Sequence, residues 1–414
     1  MTSVNFRDPA IIADPYPALS GLVEHEPLHW NESLSGWCLT RYDDVTKALT
    51  DDRFSAERIQ PFLAHQGEDV SDDISMLGEC IGLWMVFNDA PTHTRLRKLT
   101  NKAFTRRAVE ALRPRITGIV NELIDNLRGR ETFDFIADFA YPLPARVIAD
   151  MLGVPLEDVD DLKHWSDGLA QFVLGSRITP DKYETAAANL AEMNAYFERL
   201  IEARRRNPGD KIIDGLIDAH DGDELLTLPE TVATCVLLLF AGHETTTNFL
   251  GNGLRGLMLQ PEALADFTAR RDNATVAANA QEELMRWDGP SLSIVRVMNE
   301  DVEMYGHTMK KSERVILFAA AANRDASNFP DPDRIDIDRT NARRQITFGH
   351  GVHLCLGANL ARLEGLVAFP SLLDRFKGLK MIDDQPEWLD TLLIRGMKQL
   401  NIRAEVSQAP ITLC

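Results

Sequence analysis

The stretch from Thr227 to Leu259 constrains this chain more than any other. Thr227-Leu228-Pro229-Glu230 has the form of a capping box, with proline at a position that the first turn of a helix tolerates. Behind it Val232, Val236, Leu237, Leu238, Leu239 and Phe240 put apolar side chains on every face, which predicts a buried helix rather than an amphipathic one. The pattern continues to Leu259, just before Pro261, giving about 30 residues and roughly 45 Å of rod. The apolar run itself is far too short to span a bilayer. Such a rod must be surrounded by protein, and a chain of 414 residues with a hydrophobic fraction of 44% has core enough to do it. Length alone permits two or three domains, or one large helical one.

Inside the rod sits Ala241-Gly242-His243-Glu244-Thr245-Thr246. A carboxylate and two hydroxyls are costly in a core unless they are paired or functional. Gly242 weakens the helix and Thr245 can compete for a backbone carbonyl, so a local groove is expected here. The plainer alternative is a helix kink with threonine back-bonding.

A second short stretch calls for equal care: Phe348-Gly349-His350-Gly351-Val352-His353-Leu354-Cys355-Leu356-Gly357, leading into a helical pattern at Ala358. A cysteine where a loop enters a helix has its thiolate favoured by the helix dipole and by free N–H groups, as suits a metal ligand. Gly349, Gly351 and Gly357 permit positive φ and remove bulk, so the backbone can lie against something flat while Phe348 packs on it. Three alternatives stay open for the loop alone. Cys355 is a small buried hydrophobe, or it joins His350 and His353 in a metal cluster, or it is a nucleophile with a histidine base.

Charge and cysteine usage narrow the classes. A net charge of −19 argues against nucleic acid or an anionic membrane surface as the main partner. The N-terminus, Met1 to Asp8, has neither the apolar core of a signal peptide nor the length of a membrane anchor. Cys38, Cys80, Cys235, Cys355 and Cys414 are widely spaced and form no C-x-x-C pair, which disfavours structural zinc and covalently attached haem and fits a reducing cytoplasm.

Along the chain, a short helix is expected up to Glu26, then a hairpin of strands Leu28–Trp30 and Trp37–Tyr42, then a helix from about Asp44 to Leu49 capped by Asp43 or Asp44. Residues 55–88 show no sustained period and are expected as a long, functional loop. His93 and Arg97 share one face of a helix that opens near Pro91. From Ala108 to about Arg205 the reading is helical, with a break at Asn207-Pro208-Gly209. Glu283 and Arg286 stand at the i, i+3 spacing of an ion pair, and Ser291–Met298 turns towards strand. There is no internal repeat and no low-complexity segment.

The Cys355 loop resembles the ligand loop of the cytochrome P-450 haem-thiolate monooxygenases: phenylalanine, two residues, glycine, three residues, cysteine, one residue, glycine. All four fixed positions are present, at Phe348, Gly351, Cys355 and Gly357. The Ala241–Thr246 hexapeptide resembles that family's oxygen-activation motif, and His93/Arg97, Glu283/Arg286 and Arg296 fall in the family's order. Neither nucleophile chemistry nor zinc explains the buried acid-threonine motif.

The resemblance implies a mainly α fold with smaller β-sheets, a single catalytic domain over residues 1–414, and haem b between the central helix and the cysteine helix. Cys355 would ligate iron, with Ala241, Phe348, Gly349 and Gly357 lining the haem site. His93, Arg97, Arg296 and His353 would meet the propionates. Glu244 and Thr245 would relay protons to oxygen derived from O2. Glu283 and Arg286, completed by Arg334 or failing it Arg339, would support the cysteine side. Residues 55–88 would cover the substrate pocket, with Trp165, Phe172, Val173 and Leu174 in a mobile lid.

The pocket candidates are Trp84, Val86, Leu237, Leu238, Leu292, Ile294, Val295 and Ile394, mostly apolar, so a hydrophobic small molecule is expected, with hydroxylation as the typical outcome. Arg395 would favour an acidic substrate if it pointed inward, the alternative being a solvent-facing arginine. No flavin or nicotinamide fingerprint is present, so electrons would come from a small acidic ferredoxin or a flavodoxin with its reductase. The docking surface would draw on Arg339, Arg343, Arg344 and Arg362, with Arg95, Lys98, Arg106 and Arg107. The chain is expected to be a cytoplasmic, bacterial-type monomer without membrane attachment. A non-catalytic thiolate-haem sensor or carrier is the alternative function.

Overall fold

The computed structural model describes residues 4–66, 71–175, 181–221 and 224–406; Cys414 and Gly67 lie outside them. The central helix spans Leu228–Leu259, 32 residues, and both halves of the capping box are made. The Thr227 hydroxyl accepts from the Glu230 N–H at 3.3 Å, while the Thr227 N–H donates to the Glu230 carboxylate at 2.9 Å. Helices Pro142–Leu152, Lys182–Arg206 and Ala274–Asp288, together with the cysteine helix Ala358–Arg375, pack on it. Gly253 makes one of these approaches possible, since a Cβ there would fall 2.7 Å from the Phe369 ring. Among the described residues no helix is long and apolar enough to cross a membrane.

The helical body is flanked by a five-stranded sheet. Its strands are β1 (Leu28–Asn31), β2 (Gly36–Leu39), β3 (Phe54–Ser55), β4 (Ile294–Met298) and β5 (Arg314–Leu317), in the order β1-β2-β5-β4-β3. The expected hairpin is β1 and β2, pairing Leu28 with Leu39 and Asn31 with Gly36. Strand β4 runs antiparallel to β5 and carries Ile294, Val295 and Arg296 to a cavity that the central helix also lines. A smaller sheet joins Thr132–Asp134, Asn401–Val406 and Phe376–Met381.

Two local expectations fail for physical reasons. The helix after the hairpin starts at Tyr42 and has no side-chain cap from Asp43 or Asp44; the Tyr42 N–H is satisfied instead by Asp325, 3.0 Å away. Residues 55–88 are not one long loop, because they hold helices Ile59–Gln66 and Asp72–Gly82. The second has a Ser71 cap and buries Ile74, Leu77, Gly78 and Ile81, a helical stripe that Gly78 conceals by serving as an apolar position under Leu63.

Candidate functional site

The Cys355 loop is closed by its own backbone, the Cys355 N–H donating to the Phe348 carbonyl at 2.9 Å. Gly349 and Gly351 have φ of 73° and 72°, as a folded-back loop requires, whereas Gly357 has φ −80° and simply precedes the helix. At Gly351 a Cβ would also meet the Leu49 carbonyl at 2.9 Å. The Cys355 thiol opens onto a cavity of about 390 Å³ that is also lined by the central helix at Ala241, Gly242, Glu244, Thr245 and Thr246. Burial pushes the thiol up, and N–H groups of Gly357 and Ala358 with the charges of Arg97 and Arg362 only partly oppose this. A bound metal cation would reverse that balance outright. Among the described residues no three His, Cys, Asp or Glu side chains gather as a metal cluster, so the His350/His353/Cys355 grouping is not formed.

The central helix runs unbroken through the hexapeptide. The Thr245 hydroxyl donates to the Ala241 carbonyl at 3.1 Å, the back-bond expected from sequence. Glu244 and Thr245 both border the cavity. His243 is buried on the far side, its Nδ1 2.8 Å from the Leu239 carbonyl.

Arg97, Arg296 and His353 line the cavity, whereas His93 does not border it and packs against His353. The His93 and His353 rings are 4.0 Å apart, and the His93 Nε2 is buried without a partner. Burial, His93 and Arg296 push the His353 imidazole down to about 3. Arg97 donates to the Leu354 carbonyl at 2.7 Å, tying its helix to the loop. Arg296 is buried, donates to the Val295 carbonyl, and is lowered to about 10 by burial. A planar dianion with a central metal fits this donor set: one soft thiol below, a flat apolar wall above, and basic side chains with spare donors at the edge.

Behind the loop, Glu283 receives Arg286 at 2.7 and 2.8 Å and Arg339 at 2.9 and 3.0 Å, with the Asp336 N–H at 2.9 Å. Arg334 is therefore not the third member. Only its carbonyl takes part, accepting from Arg286 and Arg339, because its side chain leaves the network while Arg339 is buried within it. Carbonyls of Asn323, Pro330, Asp331 and Pro332 accept from the guanidinium groups as well, so two cations share one carboxylate with no guanidinium nitrogen left without a partner. The adjacent Glu282, not singled out from sequence, binds Arg362 of the cysteine helix at 2.6 Å and Gln345 at 2.9 Å, and Arg362 lies over the Phe348 ring at 4.5 Å.

Trp84, Val86, Leu237, Leu238, Ile294, Val295 and Ile394 line the cavity as expected. Leu292 does not, packing instead with Phe6, Leu19, Leu22 and Phe318 on the opposite side of the chain. Val173 and Leu174 reach the cavity; Trp165 and Phe172 do not border it. Arg395 is neither inward nor solvent-facing. It is buried on Asp288 at 2.7 Å and stacks on Trp388 at 3.6 Å. Of the expected docking cations, Arg339 is buried in the Glu283 network, Arg362 is held by Glu282, and Arg95 is paired with Glu230.

Sequence reading missed two charged lining residues. Glu364, six residues into the cysteine helix, is buried with neither oxygen in hydrogen-bond geometry; burial raises it to about 8, and Thr246 on the central helix opposes this only weakly. Its sign was a glutamate at a position where the helix pattern demands an apolar residue. The other is Arg58, hidden by the misreading of residues 55–88.

A family model described as cytochrome P-450 matches residues 39–400. The chain is 35% identical over 414 residues to the cytochrome P-450 CYP107DY1 of Priestia megaterium, covering 97% of this chain and 99% of that protein. It is 36% identical to the vitamin D(3) 25-hydroxylase of Pseudonocardia autotrophica, covering 94% of this chain and 93% of the other. Among solved structures, P450BioI in complex with an acyl carrier protein ligated to hexadec-9Z-enoic acid superposes with a TM-score of 0.88 at 34% identity, covering 96% of this chain and 99% of that one.

Proposed function

The chain belongs to the cytochrome P-450 family and is a monooxygenase using haem-thiolate iron and O2; from that premise we propose that it hydroxylates a hydrophobic small molecule at the Cys355 cavity, in one domain holding haem b, with electrons from a separate ferredoxin or flavodoxin. The observation that carries this reading is that the Cys355 thiol shares one largely apolar cavity with Glu244 and Thr245. Haem iron with a cysteine ligand supplies the reductive activation of O2 and delivery of one oxygen atom.

The remaining work falls to the chain's own side chains. Cys355 is the iron ligand, and the Gly357 and Ala358 N–H groups temper the charge on its sulfur. His93, Arg97, Arg296 and His353 are the propionate partners. The Thr245 hydroxyl gives up its bond to the Ala241 carbonyl and holds a proton for the reacting oxygen, resupplied from Glu244. Trp84, Leu237, Leu238 and Ile394 exclude water and position the reacting C–H bond. One relative is named a vitamin D(3) 25-hydroxylase and one structural neighbour is in complex with a carrier-bound fatty acid, consistent with an apolar pocket whose shape sets the choice. The electron donor docks on the cysteine side, where Val352 and Leu354 are exposed, with the exposed Arg106, Arg107 and Arg343 as its candidate cations.

The test is a Thr245→Ala variant assayed with reconstituted electron donors. Product formed per NAD(P)H is expected to fall severalfold as hydrogen peroxide accumulates, with the ferrous-carbonyl spectrum of thiolate ligation retained. An unchanged product yield would remove Thr245 from proton delivery.

A further inference from the structure

Arg58 follows β3 and reaches the same cavity as Trp84, Val86 and Ile294. Its guanidinium lies 4.5 Å from the centroid of the Phe87 ring. Phe87 stacks on Trp84 at 5.9 Å, and Trp84 rests on Phe240 of the central helix at 5.6 Å. A ladder of three rings thus leads from the turn before Ala241 outward to one cation. Among the described residues the Arg58 guanidinium makes no ion pair or hydrogen bond, and the charge that acts on it is another cation, Arg296. Burial and Arg296 push Arg58 down to about 10, so it stays charged at neutral pH. Trp84, on the same ring, has its indole N–H buried without an acceptor. Among the described residues neither of these two donors meets an acceptor, and a guanidinium held in an apolar cavity without a carboxylate is costly.

We propose that Arg58 is the specificity-determining anchor for a carboxylate at one end of an otherwise apolar substrate. The guanidinium fork suits bidentate carboxylate binding, and the aromatic ladder lies alongside for the apolar body. The acid-reading cation is then Arg58, while Arg395 is already neutralised by Asp288. This inference rests on the reading that haem and substrate share the cavity.

The experiment titrates the haem-loaded protein with dodecanoate, hexadecanoate and 4-phenylbutyrate, each against the alcohol of equal length, following the low-to-high-spin shift. Wild type is expected to bind at least one acid about tenfold or more tightly than its alcohol. Arg58→Leu should erase that preference with alcohol binding little changed, and Arg58→Lys should keep part of it. Acids binding no better than alcohols in wild type, or equal losses for both in Arg58→Leu, overturn the proposal. Haem content of Arg58→Leu, measured as the pyridine complex, separates the other source of carboxylate: loss of haem assigns Arg58 to a propionate and also overturns it. Absence of the thiolate ferrous-carbonyl band in wild type would instead defeat the reading of the whole site, and the anchor with it.

Discussion

The two sides of the cavity are built on opposite terms. On the cysteine side, polar groups are matched: Glu283 is shared by Arg286 and Arg339, Glu282 grips Arg362, and spare guanidinium donors end on carbonyls. On the opposite side, among the described residues, Arg58 has no counter-charge, Trp84 Nε1 has no acceptor, and Thr245 bonds its own helix. Matched polar groups fix a geometry before anything binds, and unmatched ones mark where the partner is still to come. The first side sets the position of one sulfur; the second leaves room for a ligand to complete it.

The contrast breaks first where matching is densest. Glu283→Ala leaves two guanidinium groups buried without a carboxylate, and is expected to cost about 3–5 kcal/mol of stability, read as a lower denaturant midpoint and loss of bound haem. An equal midpoint in the variant would show that the network is dispensable.

Glu364 sharpens the comparison from within the cysteine helix, since it is an unmatched group on the matched side. Its carboxyl is raised to about 8 in the folded chain against 4.5 for the free group, so the folded state holds the extra proton between these values. Stability is therefore lost as pH rises through that window, by roughly 1.4 kcal/mol per unit. Moving from pH 6 to pH 7 should penalise wild type by about that much relative to Glu364→Gln, and parallel pH profiles would refute the buried neutral carboxyl. The smallest expected effect lies far from both sides. Thr227→Ala removes one half of the capping box and should cost about 1 kcal/mol, with the carbonyl spectrum unchanged.

How much of this was legible in the sequence follows the same division. The central helix, its cap, the Cys355 loop and the Glu283/Arg286 pair were readable because short-range spacing and turn chemistry carry them. Arg339 in place of Arg334 was not, since the choice depends on how residues 330–339 coil back over the helix, where each arginine is equally near in sequence. Leu292 was misplaced because a period of two fails at Pro290, leaving Leu292 facing Phe318 rather than the cavity. Helix Asp72–Gly82 was missed because glycine at position 78 occupies an apolar slot, and with it went Arg58, the charge that distinguishes the pocket wall.

The turn at residues 391–397 points neighbouring side chains in opposite directions. Ile394 enters the cavity, while Arg395 grips Asp288 and donates to the Ile12 and Ala13 carbonyls at 3.0 and 3.1 Å. The end of the short helix Pro9–Ala13 is thereby fastened to the residue next to the pocket wall. Selection on substrate shape can then act through positions 12–16, outside the cavity lining, by shifting the peg on which Ile394 hangs.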